Sequence, residues 1–218
     1  MHILLAILVA YFLGTIPTAL IVVYFLCGMD VRKSGSGNMG AMNTVRILKK
    51  HKGIKVAFIG FLIVWLGDMV KAIIAVIIIQ LLISDFVTAL SIATFFVILG
   101  HNYPIFLKFK GGRGAASFMG ILLFFSFKIF ISWILTIFVF MVLFEAAQTI
   151  IQQKKFTKQI IFYAISEQII GRLFGELCAI CIIYLIDGRL FIPAILGTSL
   201  IVISHHKRLS SQIKKLLK

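Results

Sequence analysis

Apolar positions along this chain gather into long, nearly unbroken runs separated by short polar stretches. Residues 3–29 contain no charged side chain. Comparable runs occupy 56–83, 86–100, 115–127, 129–148, 160–186 and 190–204. A helix needs about 20 apolar residues to cross the ~30 Å hydrocarbon layer. The pattern therefore predicts an all-α polytopic membrane protein with about seven transmembrane helices. The breaks between runs differ in strength. Ser84-Asp85 and Asp187-Gly188-Arg189 are polar turns, whereas Ser126-Phe127-Lys128 holds neither Gly nor Pro and is the weakest boundary. The first run does not read as a cleaved leader: no Lys or Arg precedes it, no small-residue cleavage site closes it, and it overshoots a short apolar core. With no internal repeat or low-complexity linker, residues 1–218 read as one integral-membrane domain.

Composition sharpens this picture. The 218 residues are 61% hydrophobic and only 13% charged, against about a quarter charged in soluble domains. The formal net charge of +15 invites a nucleic-acid reading, but its placement argues against one. Most cations fall in four clusters: Arg32 to Lys55, Lys108 to Arg113, Lys154 to Lys158, and Lys207 to Lys218. Short loops rich in Lys and Arg stay on the cytoplasmic side of a membrane and meet anionic lipid there. If all four clusters are cytoplasmic, an even number of crossings separates each from the next. The N-terminus is then outside and the C-terminus cytoplasmic.

Other chemistries find little support. Cys27, Cys178 and Cys181 form no disulfide or zinc framework. His101, His205 and His206 have no carboxylate partner at ligand spacing, so neither a metal nor a cofactor is expected. No G-x-S-x-G elbow announces a covalent hydrolase. Inside the spans, Asp68 and Lys71 are spaced i,i+3, and Arg172 and Glu176 i,i+4, so each pair can neutralise itself. Intramembrane charges are functional by default. The first pair is balanced between a functional and a structural role, and the second favours structure.

Two loops stand out. RKSGSGNMGAMNTVR, residues 32–46, and GHNYPIFLKFKGGRGAAS, residues 100–117, share glycines, small residues, an Asn and fixed cations. Glycine lets successive backbone N–H groups converge into an anion nest, and a following helix N-terminus adds its dipole. Neither loop has the G-x-x-x-x-G-K-S/T spacing of a nucleotide-hydrolysing P-loop. Together, on one membrane face, they point to a site for phosphate groups. Taken alone, Ser36 could cap the next helix and Arg46 could be a snorkelling topology cation.

These stretches resemble the integral-membrane, acyl-phosphate-dependent glycerol-3-phosphate acyltransferases of bacteria. GTIPTALI is similar to that family's GSIP segment, and GSGNMGAMNTVR to its first signature, GSGNxGATN followed by Arg. GDMVKA resembles its DxxKG segment, and GHNYPIFLKFKGGRGAAS its second signature, GHxFPxxxxFKGGKGxAT. The resemblance covers roughly the first 120 residues. It implies a seven-helix enzyme with a cytoplasmic active site, which moves an acyl group from acyl phosphate to the 1-hydroxyl of glycerol 3-phosphate, giving lysophosphatidic acid and phosphate. Gly35, Ser36, Gly37 and Asn38 would hold the acyl-phosphate head, with Ser36 donating a hydrogen bond. Arg46 would clamp phosphate bidentately. Lys110, Gly111, Gly112 and Arg113 would bind glycerol 3-phosphate. His101 and Asn43 are balanced between loop structure and substrate contact. Membrane lipid, and the soluble enzyme that makes acyl phosphate, are the implied partners.

The chain departs from the family pattern in three places. Arg113 replaces the usual Lys, and Met42 the usual Thr. The family's TRYVSLxS stretch is echoed only by GRLFGELCAI, after an apparent insertion at QQKKFTKQ. The family's final HRxNIKRLL corresponds to SHHKRLSSQIKKLLK, where an ungapped alignment puts Leu209 at the His and Gln212 at the Asn. With extra residues allowed, His205 or His206 supplies the imidazole, and His206 is preferred. These departures leave two alternatives: a divergent paralogue with another acceptor, or a non-catalytic protein that binds or transports a phosphorylated solute.

Overall fold

The computed structural model describes residues 2–152, 161, 164–165 and 168–216. The Lys154 to Lys158 cluster and nearly all of the expected insertion lie outside the described residues. The described chain is helical and divides into two compact units, 1–125 and 126–218.

The first unit holds α1 (His2–Gly14), α2 (Thr18–Cys27), α3 (Ala41–Lys52), α4 (Ile54–Leu82), α5 (Phe86–Asn102) and α6 (Ala115–Phe125). The first apolar run is thus two helices, because Pro17 has no N–H to continue the ladder. α4 is the axle of this unit and packs against α1, α3, α5 and α6. Its buried stripe (Ala57, Gly60, Val64, Asp68, Lys71, Ala75, Ile79) repeats every three or four residues and is mostly small or polar. Large apolar side chains such as Phe58, Ile63, Leu66 and Leu81 point outward. That inversion suits a helix whose outer face meets lipid and whose inner face needs close approach. α1 meets α5 just as closely, Gly14 lying against the Val97 backbone and Gly100 against that of Tyr11.

The second unit holds α7 (Phe127–Ile151), α8 (Ile169–Ile186), α9 (Phe191–Ser204) and α10 (His206–Leu216). Within it α7 lies along α8. α9 and α10 meet at a 56° bend.

The expected boundaries hold closely, with informative shifts. The weak break falls at Ser126, which is extended between Phe125 and Phe127, so Lys128 lies inside α7. Among the described residues, five stretches are long and apolar enough to cross a membrane, or six if the bent α9–α10 pair is one span. The crossing expected at 115–127 is the eleven-residue α6, about 16 Å at 1.5 Å per residue and well short of the hydrocarbon thickness.

Candidate active site

The first glycine loop is organised from below by one side chain. Asn43, on the first turn of α3, is 1% exposed. Its Oδ1 accepts the Ser36 N–H at 2.8 Å, and its Nδ2 donates to the carbonyls of Val31, Ser34 and Asn38 at 3.2, 3.0 and 3.0 Å. A side chain on Gly35 would overlap Asn43 Oδ1, and Gly35 and Gly37 take φ of +61° and +70°. Only glycine holds that left-handed backbone readily. Ser36 is therefore presented outward between two glycines. The N-cap of α3 is Gly40, so Ser36 is not the helix cap. Val31 and Met39, at the loop's two ends, sink into an apolar cluster with Ala19, Val22, Val23, Ile47 and Val64. That burial pins the loop to α2, α3 and α4.

The Arg32 charge is taken up within the loop. The Arg32 guanidinium makes a bidentate contact with Asp30, its closest approach 2.7 Å, and this contact holds the Asp30 carboxyl below the usual carboxylate range. Arg46 stands exposed on α3, one turn beyond Asn43.

The second loop folds back on the end of α5. The Gly112 N–H donates to the His101 carbonyl at 2.9 Å. A Cβ on Gly112 would overlap His101 Nε2, so the imidazole lies directly against this glycine. Just before it, Lys108 and Phe109 hold φ of 54° and 57°, an uncommon conformation for residues with side chains. The Phe109 N–H reaches the Pro104 carbonyl at 3.0 Å and the Lys110 N–H the Leu107 carbonyl at 3.2 Å. The tight turn leaves Lys110 exposed and Arg113 half-buried. The two loops touch: the Met39 N–H donates to the Gly111 carbonyl at 3.4 Å. The structure thus brings Gly35, Ser36, Gly37, Asn38 and Asn43 together with Gly111, Gly112 and His101.

Beneath the second loop is a buried polar cluster. Lys71 Nζ lies 2.7 Å from Asp68 Oδ1, so the expected pair forms. It has further members that spacing alone could not reveal: Lys71 Nζ is 2.9 Å from His101 Nδ1 and 3.0 Å from the Ile16 carbonyl, and Thr18 Oγ1 donates to Asp68 Oδ1 at 2.8 Å. The one sequence signal was Pro17, which breaks the helix and turns out the Ile16 carbonyl, where it accepts from both Lys71 Nζ and the Thr18 N–H, the latter at 3.1 Å.

The remaining expected residues belong to the second unit. Gln212 Oε1 accepts the N–H groups of Ile169 and Ile170 at 2.7 and 3.1 Å, and its Nε2 donates to Gln168 Oε1 at 2.7 Å. It thereby satisfies donors at the start of α8 that have no partner within the helix. His205 is 2% exposed and its Nδ1–H donates to the Ile201 carbonyl at 2.9 Å, whereas His206 is exposed and bonds the Ile203 carbonyl at 2.9 Å. The Arg172 guanidinium donates to the Ile165 carbonyl at 2.8 Å, and Glu176 is buried with Oε2 unbonded.

Comparison with known proteins adds independent findings. A family model described as glycerol-3-phosphate acyltransferase matches residues 4–218. A glycerol-3-phosphate acyltransferase of Bacillus subtilis is 40% identical over 143 residues, covering 66% of this chain and 69% of that protein. Glycerol-3-phosphate acyltransferase 2 of Moorella thermoacetica is 42% identical over 120 residues, 55% of this chain and 57% of its own length. For the relative from Carboxydothermus hydrogenoformans the shares are 58% and 60%, so the matches span little more than half of several of these proteins. The fold is similar to crystal structures of PlsY, an integral membrane glycerol 3-phosphate acyltransferase. Its glycerol 3-phosphate form aligns with TM-score 0.67 and 22% identity, over 98% of this chain and 92% of that one. Its lysophosphatidic acid form aligns with TM-score 0.68 and 21% identity.

Proposed function

The chain belongs to the glycerol-3-phosphate acyltransferase family, and from that premise we propose that it transfers an acyl group from an acyl phosphate to the 1-hydroxyl of glycerol 3-phosphate, releasing lysophosphatidic acid and phosphate. This is the first acylation of phospholipid synthesis. The observation that carries the proposal is the docking of two glycine-rich, cationic loops through the Met39 N–H and Gly111 carbonyl. Both substrates of this reaction bear phosphate, and two adjoining anion-binding loops answer that need.

An acyl phosphate is a mixed anhydride with a good leaving group, so no covalent acyl-enzyme is required. The protein has to align the acceptor hydroxyl with the acyl carbonyl, accept its proton and stabilise the departing phosphate. Gly35, Ser36, Gly37 and Asn38 are assigned to the acyl-phosphate head, with the Ser36 hydroxyl donating to it, and Arg46 clamps phosphate charge as it leaves. Lys110 and Arg113 hold the phosphate of glycerol 3-phosphate on the frame of Gly111 and Gly112. Asn43 acts through the loop that it organises, and His101 through Gly112. Of the two histidines in the divergent last motif, His206 is assigned the imidazole because it is the exposed one, and Gln212 takes the place of the family's Asn.

The family match across nearly the whole chain supports reading residues 1–218 as one domain. We place the loops at the cytoplasmic face of a bacterial plasma membrane, with the N-terminus outside and the C-terminus inside. There a soluble enzyme that makes acyl phosphate can deliver the donor. The test is direct: purified protein, a long-chain acyl phosphate and labelled glycerol 3-phosphate should yield labelled lysophosphatidic acid, and Ser36→Ala or Arg46→Ala should sharply slow its formation. Acyl phosphate consumed only with a different alcohol would instead support a changed acceptor, which Arg113 and Gln212 favour.

A further inference from the structure

We propose that Lys71 and Asp68 are positioning residues that hold His101 as its neutral Nε2–H tautomer and so seat the second glycine loop. The argument starts from the donors of Lys71. An ammonium has three N–H bonds and no acceptor. Three acceptors surround Lys71 Nζ, namely Asp68 Oδ1 at 2.7 Å, His101 Nδ1 at 2.9 Å and the Ile16 carbonyl at 3.0 Å. Held against the Asp68 carboxylate at 2.7 Å, Lys71 is an ammonium with donors only, so it is the donor in the Lys71–His101 contact. His101 Nδ1 is then a bare acceptor, and a neutral imidazole with a bare Nδ1 carries its proton on Nε2. Asp68 does not bond the ring itself, since its Oδ1 lies 3.6 Å from Nδ1. Its task is to hold Lys71, with Thr18 Oγ1 donating to the same oxygen at 2.8 Å.

The other edge of the ring meets the loop. His101 Nε2 occupies the space that a side chain on residue 112 would need, and the His101 carbonyl accepts the Gly112 N–H. A proton on Nδ1 would point two donors at each other across 2.9 Å, and the ring would have to turn. Turning it would unseat Gly112, and with it the flanking Lys110 and Arg113. The cluster therefore runs from the α1–α2 joint, through α4 and α5, to the loop assigned to glycerol 3-phosphate. Its functional consequence rests on that assignment, but the tautomer does not.

The test uses full-length protein in lipid, labelled with nitrogen-15 at histidine. The His101 ring signals are identified by their loss in His101→Gln. We expect a protonated Nε2 and a bare, hydrogen-bonded Nδ1; a protonated Nδ1, or an imidazolium, overturns the proposal. Because Lys71→Met alone would strand the Asp68 carboxylate in the span, the kinetic variant is Asp68→Asn with Lys71→Met. Its KM for glycerol 3-phosphate should rise about tenfold, the effect of losing roughly one well-made hydrogen bond, while the KM for acyl phosphate stays within about twofold. Unchanged values, or an equal rise for both substrates, overturn the positioning role. Wild-type protein that acylates no glycerol 3-phosphate would sink the proposed function and leave the tautomer measurement standing.

Discussion

The Asn43 side-chain oxygen accepts the Ser36 backbone N–H at 2.8 Å, and the nitrogen of the same amide donates to the carbonyls of Val31, Ser34 and Asn38. One buried amide thus sets the curvature of the whole first loop. Asn43→Ala should lower stability by about 2–4 kcal/mol, several buried partners being stranded at once. It should also abolish turnover. Asn43→Asp keeps the acceptor for Ser36 but turns the donor into an oxygen facing three carbonyls, so it should not rescue. Thermal unfolding in detergent and lysophosphatidic acid formation measure the two effects.

Ser36 differs from Asn43 in being exposed. Ser36→Ala should leave the unfolding temperature within error while reducing kcat by about 100-fold or more, as loss of a donor to a reacting group does. A large drop in stability would show that the hydroxyl serves the loop rather than the substrate.

Arg32 and Arg46 both belong to the cationic ring read from the sequence, yet they should behave differently. Arg32 is held by Asp30, so Arg32→Ala should change turnover by less than about threefold. Arg46→Lys keeps the charge but loses the planar fork and should cost at least about tenfold. The Asp30 carboxyl lies below its ordinary range because it accepts from Arg32. A lowered acid contributes stability above its unfolded pKa and loses it as pH falls through the folded value. The difference between wild type and Asp30→Asn should therefore be full at neutral pH, begin to shrink near about pH 4 and vanish only below the lowered folded value. Unfolding temperature measured across that range checks the sign.

Gly112→Ala places a methyl where His101 Nε2 lies. The ring or the loop must move, so glycerol 3-phosphate should bind at least about tenfold more weakly. His101→Ala in the same chain should recover part of that loss by opening the space, which steady-state KM values report.

Gln212 caps the start of α8 through Ile169 and Ile170. Gln212→Ala should therefore cost about 1–2 kcal/mol of stability, read by unfolding in detergent. If Gln212 also contacts acceptor, as its alignment implies, the KM for glycerol 3-phosphate rises as well. Separate His205→Ala and His206→Ala variants decide the last motif: full activity in both would remove either histidine from the chemistry.

Local signals made much of this legible. The apolar runs located the apolar helices, because crossing hydrocarbon imposes length and composition directly, but not the polar α3 and α10, which lie between or beyond them. Glycines among fixed cations marked both loops, and the i,i+3 spacing of Asp68 and Lys71 foretold their contact. What spacing could not disclose were partners far along the chain. Thr18 lies 50 residues from Asp68, and His101 lies 30 from Lys71; only packing of α4 against its neighbours joins them. Asn43 was readable as a loop or substrate residue, but its four bonds depend on how the loop curls over α3. The short run at 115–127 was legible, and the structure ends α6 two residues earlier because Ser126 turns extended. Gln212, aligned with a family Asn, turned out to bind the start of α8.

The most direct test of the account is one turnover experiment with the purified protein in lipid. Long-chain acyl phosphate and labelled glycerol 3-phosphate should give labelled lysophosphatidic acid and stoichiometric phosphate, and Ser36→Ala should form both at least about 100-fold more slowly. Acyl phosphate that survives intact with glycerol 3-phosphate, in wild-type protein whose unfolding shows it to be folded, would contradict it.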